Sequence, residues 1–302
     1  MKALIFGANG QDGYYLSQAC RKRGIEVIGI SRSGPWLRGD VASPEIVEEL
    51  VKSHRPAMIF HLAAASATRH DVIYENHATI GTGTINILES VKRWSPESKV
   101  FIAGSGLQFI NKGQPISETD SFDHTSAYVA TRNYSVYLAR YFRSLGILAY
   151  VGYLFHHESP SRGGHHVCQK IAQAVWRISE GSEEILELGD ISVMKEWTYA
   201  EDIVEGIMTL VTQNQVLEAT IGSGCAYSIE NWIDECFKLI KKDWKEYVRM
   251  QNDYEAEYKL LVSNPATINS LGWHANTTLA ELAKLMIDHQ GTKQSQLRKD
   301  LL

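Results

Sequence analysis

Five short, nearly continuous apolar runs divide the first half of the chain, and longer amphipathic segments separate them. The runs occupy residues 2–6, 26–30, 57–62, 99–103 and 149–155. A strand without polar alternation is covered on both faces, which is typical of a parallel sheet. The pattern therefore predicts a buried parallel sheet in this half of the chain.

The segments between the runs carry apolar residues at helical spacing. They cover residues 13–23, 44–53, 80–94 and 126–145. Repeated strand–helix units are typical of a doubly wound α/β fold, the Rossmann arrangement. We therefore expect a Rossmann domain over residues 1–155.

The pattern becomes less regular after residue 155. It predicts a helix over residues 166–179 and mixed short elements to the end of the chain. We expect residues 156–290 to form a smaller lobe packed against the first domain. Residues 291–302 are mostly polar, so we expect them to form a tail.

Composition and charge exclude several classes of protein. The 302 residues are 44% hydrophobic and 22% charged, and no apolar run approaches the roughly 18 residues that cross a membrane. Lys and Arg number 30 against 35 Asp and Glu, so no basic excess favours nucleic acid. We expect a globular protein that binds neither nucleic acid nor membrane.

Cysteine and histidine usage favours a reducing compartment and no metal site. The four cysteines form no CxxC pair, and the N-terminus lacks the regions of a secretory signal. The histidine pairs at 156–157 and 165–166 do not share a helix face, and no HxxxH spacing occurs. We expect a cytoplasmic protein without a bound metal.

A glycine-rich turn follows the first predicted strand and opens the first predicted helix. Gly7, Gly10 and Gly13 have GxxGxxG spacing. A turn without Cβ atoms lets the backbone approach a pyrophosphate, and a helix N-terminus presents amide donors to it. We therefore predict a dinucleotide site here. The predicted contacts are Gly7, Asn9, Gly10, Gln11, Asp12 and Gly13.

The GxxGxxG turn is similar to that of the extended short-chain dehydrogenase/reductases that act on nucleotide sugars. Residues 155–160, FHHESP, resemble the FNHESP run of the GDP-mannose 4,6-dehydratases. LGD at 188–190, KEW at 195–197 and LGW at 271–273 resemble further segments of that family. With the opening GANGQDG, the similarity spans nearly the whole chain.

The resemblance implies a nicotinamide dinucleotide, and the end of the second strand indicates which one. An NAD site has an acidic residue here for the adenosine ribose hydroxyls. Between the end of the second predicted strand and Asp40, this chain has no acidic residue. Arg32 can hold a 2′-phosphate instead, so we predict NADP(H). The further contacts that the resemblance implies are Ser31, Asp40, Val41, Leu62, Ala63 and Ala64.

The resemblance also implies three catalytic residues. Tyr128 and Arg132 stand where the family has Tyr-x-x-x-Lys, and Ser105 ends a predicted strand. A cation beside a phenol stabilises the phenolate, while the serine would hold the substrate oxygen. Arginine keeps the positive charge but is planar and bulkier than lysine, so activity is either retained with altered geometry or weakened.

A nucleotide sugar is the substrate class that the resemblance implies, GDP-linked by analogy with the family. It places His156, Lys170 and Lys195 near the diphosphate or the base. Donor side chains suit a diphosphate. His156 replaces an asparagine of the family pattern, and Lys195 replaces an arginine.

Leu107 is the departure from the family that bears most on the reaction. In the dehydratases this position is a glutamate that handles the proton when water is eliminated. Leucine transfers no proton, whereas reduction of a 4-keto sugar requires the cofactor, a tyrosine and a serine. We therefore favour a reductase of a GDP-linked 4-keto-6-deoxy sugar. A 4,6-dehydratase with substituted residues, an epimerase or dehydrogenase, and a non-catalytic binding homologue remain alternatives.

Two predicted helices bear on the oligomeric state. The helices over residues 80–94 and 126–145 correspond to those that pair between subunits in this family, and both have sizeable apolar content. We therefore expect a homodimer or a homotetramer.

Overall fold

The computed structural model describes residues 1–65, 68–251 and 258–300, and its description of side chains ends at residue 292. These residues form fourteen strands and ten α-helices. The strands are β1 Lys2–Phe6, β2 Glu26–Ser31, β3 Leu37–Arg38, β4 Met58–His61, β5 Lys99–Ser105, β6 Ala149–Leu154, β7 His157–Glu158, β8 Leu186–Leu188, β9 Met194–Glu196, β10 Thr198–Tyr199, β11 Glu218–Ile221, β12 Ala226–Ser228, β13 Val248–Met250 and β14 Leu260–Leu261. The helices are α1 Gln11–Lys22, α2 Pro44–His54, α3 Ile73–Asn76, α4 Gly83–Trp94, α5 Ala127–Ser144, α6 Val167–Ser179, α7 Ala200–Thr212, α8 Ile229–Ile240, α9 Ala266–Ser270 and α10 Leu279–Asp300.

A seven-stranded sheet forms the centre of the protein, in the order β11-β6-β5-β4-β1-β2-β3. Every neighbouring pair in it is parallel. All residues of β4 and β6 are buried, as expected for strands covered on both faces. The predicted doubly wound α/β fold is confirmed.

Helices cover both faces of this sheet with separate apolar layers. On one face, Leu16 of α1 and Ile203 of α7 pack in one core with Phe101 of β5. On the other face, Val47 of α2 and Ile87 of α4 belong to a second core. Open parallel sheets bind ligands at the carboxyl ends of their strands, so this edge of the sheet is where a site is expected.

The smaller lobe has a core of its own between α6, α8 and α10. At its centre the indoles of Trp197 and Trp232 stack, with centroids 5.0 Å apart and planes 4° from parallel. Short strands edge this core, with β9 between β12 and β14 and β8 beside β13. No helix of the described residues is long and apolar enough to span a membrane.

The chain crosses between the two parts more often than a single division at residue 155 implies. It leaves the sheet after β6 and returns to it with α7 and β11, because β11 pairs with β6 and α7 fills the same core as α1. Residues 200–221 therefore pack with the first domain. The predicted tail starts inside α10, which extends to Asp300, and residues 301–302 lie outside the described residues.

Candidate active site

The glycine turn between β1 and α1 has the close approaches that exclude side chains. Gly7 has φ +92°, and a Cβ at this position would lie 2.7 Å from the Ala63 nitrogen. A Cβ on Gly13 would collide with the Gly7 carbonyl and lie 2.6 Å from the Ala8 Cα. Glycine is therefore required for the turn to pack against β4 and against its own helix.

A cleft of about 260 Å³ opens beside this turn, at the carboxyl ends of β1, β2 and β4. It brings together ten of the thirteen residues predicted to bind the cofactor. These are Gly7, Asn9, Gly10, Ser31, Arg32, Asp40, Val41, Leu62, Ala63 and Ala64.

Arg32 lies at this cleft with an exposed guanidinium. Its Nη2 atom donates to Glu75 Oε1 at 2.8 Å, and both side chains are about half exposed. Asp40, by contrast, turns back on its own loop, where Oδ1 accepts from the Ala42 nitrogen at 2.9 Å. Arg32 is thus the side chain placed to meet an anion, with Glu75 as its partner.

The remaining predicted cofactor residues lie beside the cleft. Gly13 packs under the turn, while Gln11 and Asp12 face the smaller lobe. The Ser159 hydroxyl donates to Gln11 Oε1 at 2.8 Å. These two side chains therefore join the glycine turn to the segment after β6.

His157 is the partner of Asp12 across this junction. Its Nδ1 atom donates to the Phe155 carbonyl at 2.7 Å, and its Nε2 atom contacts Asp12 Oδ1 at 2.8 Å. Burial lowers the pKa of His157, but the Asp12 carboxylate outweighs burial and holds the pKa above its ordinary value. Both ring nitrogens face acceptors, which is the arrangement of an imidazolium.

A second pocket, about 200 Å³, lies where β5 and β6 end. It brings together the three predicted catalytic residues and part of the predicted substrate site. Its lining includes Asp12, Ser105, Leu107, Tyr128, Arg132, His156, His157 and Arg162.

Tyr128 and Arg132 form the wall of this pocket on the first turns of α5. The Ser126 hydroxyl accepts from the Val129 nitrogen at 3.2 Å and so caps the helix. Arg132 Nε donates to the Tyr128 hydroxyl at 3.2 Å, and Nη1 donates to the Ala103 carbonyl. Both side chains are buried. The cation is therefore fixed against the phenol oxygen.

Ser105 is held at the end of β5 by the turn that follows it. Its hydroxyl oxygen accepts from the Leu107 nitrogen at 3.2 Å, and the Gln108 side chain accepts from the Ser105 nitrogen at 2.7 Å. This reciprocal cap fixes the serine backbone. Among the described residues the Ser105 hydroxyl hydrogen has no acceptor, so it can donate to a substrate oxygen.

A third pocket, about 380 Å³, adjoins the second and contains the predicted lysines. Tyr258 lines both pockets. Lys170 Nζ donates to the Glu187 carbonyl at 2.8 Å, and Lys195 Nζ donates to His156 Nε2 at 3.1 Å. The structure thus brings His156 and Lys195 into contact, while Lys170 lines the same pocket as Lys195 and bonds to the Glu187 carbonyl.

The family model for GDP-mannose 4,6 dehydratase matches residues 4–286. The chain belongs to this family. It is 28% identical to GDP-mannose 4,6 dehydratase 2 of Arabidopsis thaliana over 95% of this chain and 86% of that protein. It is also 28% identical to the enzyme of Dictyostelium discoideum, over 94% of both chains.

Solved structures share the fold at lower identity. MoeE5 in complex with UDP-glucose and NAD superposes with a TM-score of 0.85 over 98% of this chain and 99% of that chain, at 22% identity. RMD from Pseudomonas aeruginosa, complexed with NADPH, gives a TM-score of 0.84 over 97% and 99% at 17% identity. These matches confirm the Rossmann architecture.

The second pocket has one carboxylate among its described lining residues, which bears on the reactions that it can support. Leu107 lines the pocket at the position where the family pattern has glutamate. Among the described lining residues the carboxylate is Asp12, which His157 engages. The pocket thus has phenol, hydroxyl and imidazole groups but no uncommitted carboxylate among the described residues.

Three polar residues of this site were not among the predicted ones. His157 and Arg162 line the second pocket, and Glu158 is fully buried. All three belong to the FHHESP segment or follow it within two residues, so the resemblance contained the signal. In the described residues, no group of three or more His, Cys, Asp and Glu side chains is arranged to hold a metal ion.

Proposed function

We propose that this protein binds NADP(H) and reduces a GDP-linked 4-keto-6-deoxy sugar. The cofactor fits the site because the Gly7 turn admits no Cβ and leaves its backbone open to a pyrophosphate. Arg32 would hold the 2′-phosphate, and Asp40 and Val41 the adenosine. When bound, NADPH supplies the hydride.

The buried pair of Tyr128 and Arg132 is the observation that supports reduction. Tyr128 donates its proton to the ketone oxygen, and Ser105 donates a hydrogen bond to the same oxygen. A phenol has a pKa near 10, so the phenolate that remains is costly at neutral pH. Arg132, 3.2 Å from the phenol oxygen, stabilises that charge.

Lys170 and Lys195 support a diphosphate substrate. They line one pocket that adjoins the catalytic pocket, so a nucleotide there would present its sugar to Tyr128. GDP is preferred as the nucleotide because curated relatives over nearly the whole chain are GDP-mannose 4,6-dehydratases. The exposed Lys170 and the buried Lys195 would both bind the diphosphate.

A 4,6-dehydratase is the second candidate, since two histidines line the catalytic pocket. Elimination requires a group that accepts and returns a proton, and Leu107 provides none. His157 is committed at both nitrogens, which leaves His156 as the imidazole of the described lining that could serve. His156 itself contacts Lys195 and Glu158 rather than Tyr128.

Two reactions followed by NMR of the sugar distinguish the candidates. Wild-type protein is incubated with GDP-mannose and NADP⁺, and separately with GDP-4-keto-6-deoxymannose and NADPH. Reduction in the second reaction supports the proposal. A 4-keto product in the first without reduction in the second establishes the dehydratase instead. No change in either reaction favours the non-catalytic homologue.

A further inference from the structure

The imidazole of His156 lies where the second pocket, here called the catalytic pocket, meets the third pocket, here called the lysine pocket. His156 lines the catalytic pocket, and Lys195 lines the pocket beyond it. The Nδ1 atom of His156 donates to the Glu196 carbonyl at 2.8 Å, which fixes the ring plane. The remaining nitrogen, Nε2, is therefore the atom that can exchange partners.

Two groups of opposite charge compete for that nitrogen. Lys195 Nζ lies 3.1 Å from Nε2, and Glu158 Oε1 lies 2.9 Å from it. An ammonium needs the Nε2 lone pair as an acceptor, whereas a carboxylate needs an N–H donor. One protonation state of His156 cannot satisfy both partners, so the cluster has two alternative hydrogen-bonding states.

The free protein favours the state with neutral His156. Burial and the nearby Lys195 ammonium lower the pKa of His156 to about 4, although Glu158 opposes them. Glu158 itself is fully buried, and neither of its oxygens has a well-formed hydrogen bond. Burial raises the pKa of Glu158, whereas a protonated His156 and the Arg162 guanidinium lower it. A buried carboxylate thus stands ready to accept a proton donor.

The other charged groups around His156 do not take over this role. Arg162 Nε is 3.5 Å from Glu158 Oε2, and His166, at the start of α6, is 3.4 Å from the Arg162 guanidinium. The buried Cys168 thiol faces Glu158 from α6. The Glu196 carboxylate points away, toward the backbone nitrogens of residues 223 and 263. On the described residues, Lys195 is therefore the cation that holds the Nε2 lone pair.

We propose that a diphosphate bound at Lys195 draws the ammonium away from His156, and that His156 then takes up a proton from solvent and pairs with Glu158. The proton forms a new N–H bond at Nε2, which donates to Glu158 Oε1, and no other bond changes. Nucleotide-sugar binding thereby places an imidazolium on the wall of the catalytic pocket. This inference rests on the proposed nucleotide-sugar function.

Calorimetry of binding tests the proton uptake directly. GDP-mannose is titrated into the NADPH-loaded protein at one pH in buffers of different ionisation enthalpy. Its diphosphate is a diester that does not titrate near neutral pH, so an exchanged proton belongs to the protein. The dependence of the observed enthalpy on the buffer should correspond to uptake of up to one proton per ligand. A dependence of zero in wild type, with heat of binding present, would overturn the inference but not the proposed function.

Variants assign the proton to the cluster. His156→Asn should bind GDP-mannose without proton uptake, and Glu158→Gln should also lose the uptake because an amide does not stabilise an imidazolium. His274→Asn is the matched control, since His274 is exposed and lies outside the described lining of all three pockets. Uptake that persists in His156→Asn would contradict the assignment.

A spectroscopic measurement covers the case in which a variant does not fold. In wild-type protein labelled with ¹⁵N-histidine, the His156 Nε2 signal should change from the unprotonated to the protonated range on addition of GDP-mannose. An unchanged signal at saturation overturns the inference. Absence of binding by both GDP-mannose and UDP-glucose would overturn the proposed function, and the inference with it.

Discussion

The Nε atom of Arg132 donates to the hydroxyl of Tyr128 at 3.2 Å, one helical turn away on α5. The guanidinium carbon lies 5.3 Å from the centre of the Tyr128 ring, and Nη1 reaches the Ala103 carbonyl on β5. The side chain is therefore anchored at two points in a buried setting. It provides a permanent positive charge at the phenol oxygen, which is the electrostatic part of the lysine's role in the family pattern.

Tyr128→Phe should lower kcat for ketone reduction by roughly 10²–10⁴-fold, because it removes the proton donor. NADPH affinity should change little, since the phenyl ring retains the packing of the buried tyrosine. Steady-state NADPH oxidation and a fluorescence titration measure the two quantities. Tyr137→Phe, on the exposed side of the same helix, is the control that should retain activity. Retained activity in Tyr128→Phe would exclude Tyr128 as the acid.

Arg132→Lys should reduce kcat rather than restore a better family-type site. A single ammonium cannot reach both the Tyr128 hydroxyl and the Ala103 carbonyl that the guanidinium spans. Loss of one charge-assisted hydrogen bond costs about 1.5–3 kcal/mol, or roughly 10- to 150-fold in rate if it acts in the transition state. Arg132→Met should lose more because it also removes the charge. An increase in kcat for the lysine variant would show that the pocket has not adapted to arginine.

The sequence pattern predicted the main elements well where burial alone determines them. β1, β4 and β6 lie within the predicted apolar runs, and β2 and β5 begin where their runs begin but extend one and two residues further. β11 was not predicted because its four residues, EATI, carry no distinctive period and are placed only by pairing with β6. The start of α4 also differs, because a π-helical turn over His77–Thr82 precedes Gly83.

Local sequence features also predicted part of the site, whereas contacts between residues far apart in the chain were not predicted. The cleft residues were predictable because a glycine turn after a strand, and the ends of neighbouring parallel strands, meet at the same edge of the sheet. The Asp12–His157 pair joins residues 145 positions apart, and the Arg32–Glu75 pair joins residues 43 apart. No spacing rule connects such partners, so only the folded chain shows them.

Arg32→Ala should weaken NADPH binding by about tenfold and leave NADH binding nearly unchanged. A charge-assisted contact to phosphate contributes about 1.5–3 kcal/mol, and the exposed setting places the effect near the lower value. Glu75→Gln should strengthen NADPH binding several-fold, because Glu75 occupies the Arg32 guanidinium and repels a phosphate. Titration of both cofactors measures these changes. Asp71→Asn, which affects the exposed Arg69 pair on the neighbouring turn, is the matched control. Equal affinity of wild type for both cofactors would remove the basis for an NADP(H) preference.

The outer face of α5 predicts self-association. Tyr137, Tyr141 and Leu145 follow one another at a spacing of four, and the two tyrosines are each 58% exposed. We expect these residues to pack against a second copy in a homodimer or homotetramer. Light scattering of the wild type should give a molar mass of at least twice the 33.9 kDa of one chain. The double variant Tyr137→Glu with Tyr141→Glu should give the mass of a single chain. A wild-type monomer at micromolar concentration would contradict this expectation.

The Asp12–His157 pair should stabilise the fold within a defined pH window. The raised pKa of His157 means that its contribution is fully present below pH about 6.5 and is lost as pH rises through the folded-state value. Burial raises the pKa of Asp12, but His157 outweighs burial and lowers it, so the contribution of Asp12 is present above pH about 3.9 and lost as pH falls through its lowered value.

Asp12→Asn should therefore reduce the free energy of unfolding most between these two limits, and the difference from wild type should shrink at alkaline pH. Removing one partner of a buried pair typically costs several kcal/mol, because the other charge is left buried. Urea unfolding at several pH values, followed by circular dichroism, measures the difference. Asp288→Asn, in the exposed pair with Lys284, should give a small effect that does not depend on this window. An Asp12→Asn difference that stays constant up to alkaline pH would show that His157 is not the charged partner of Asp12.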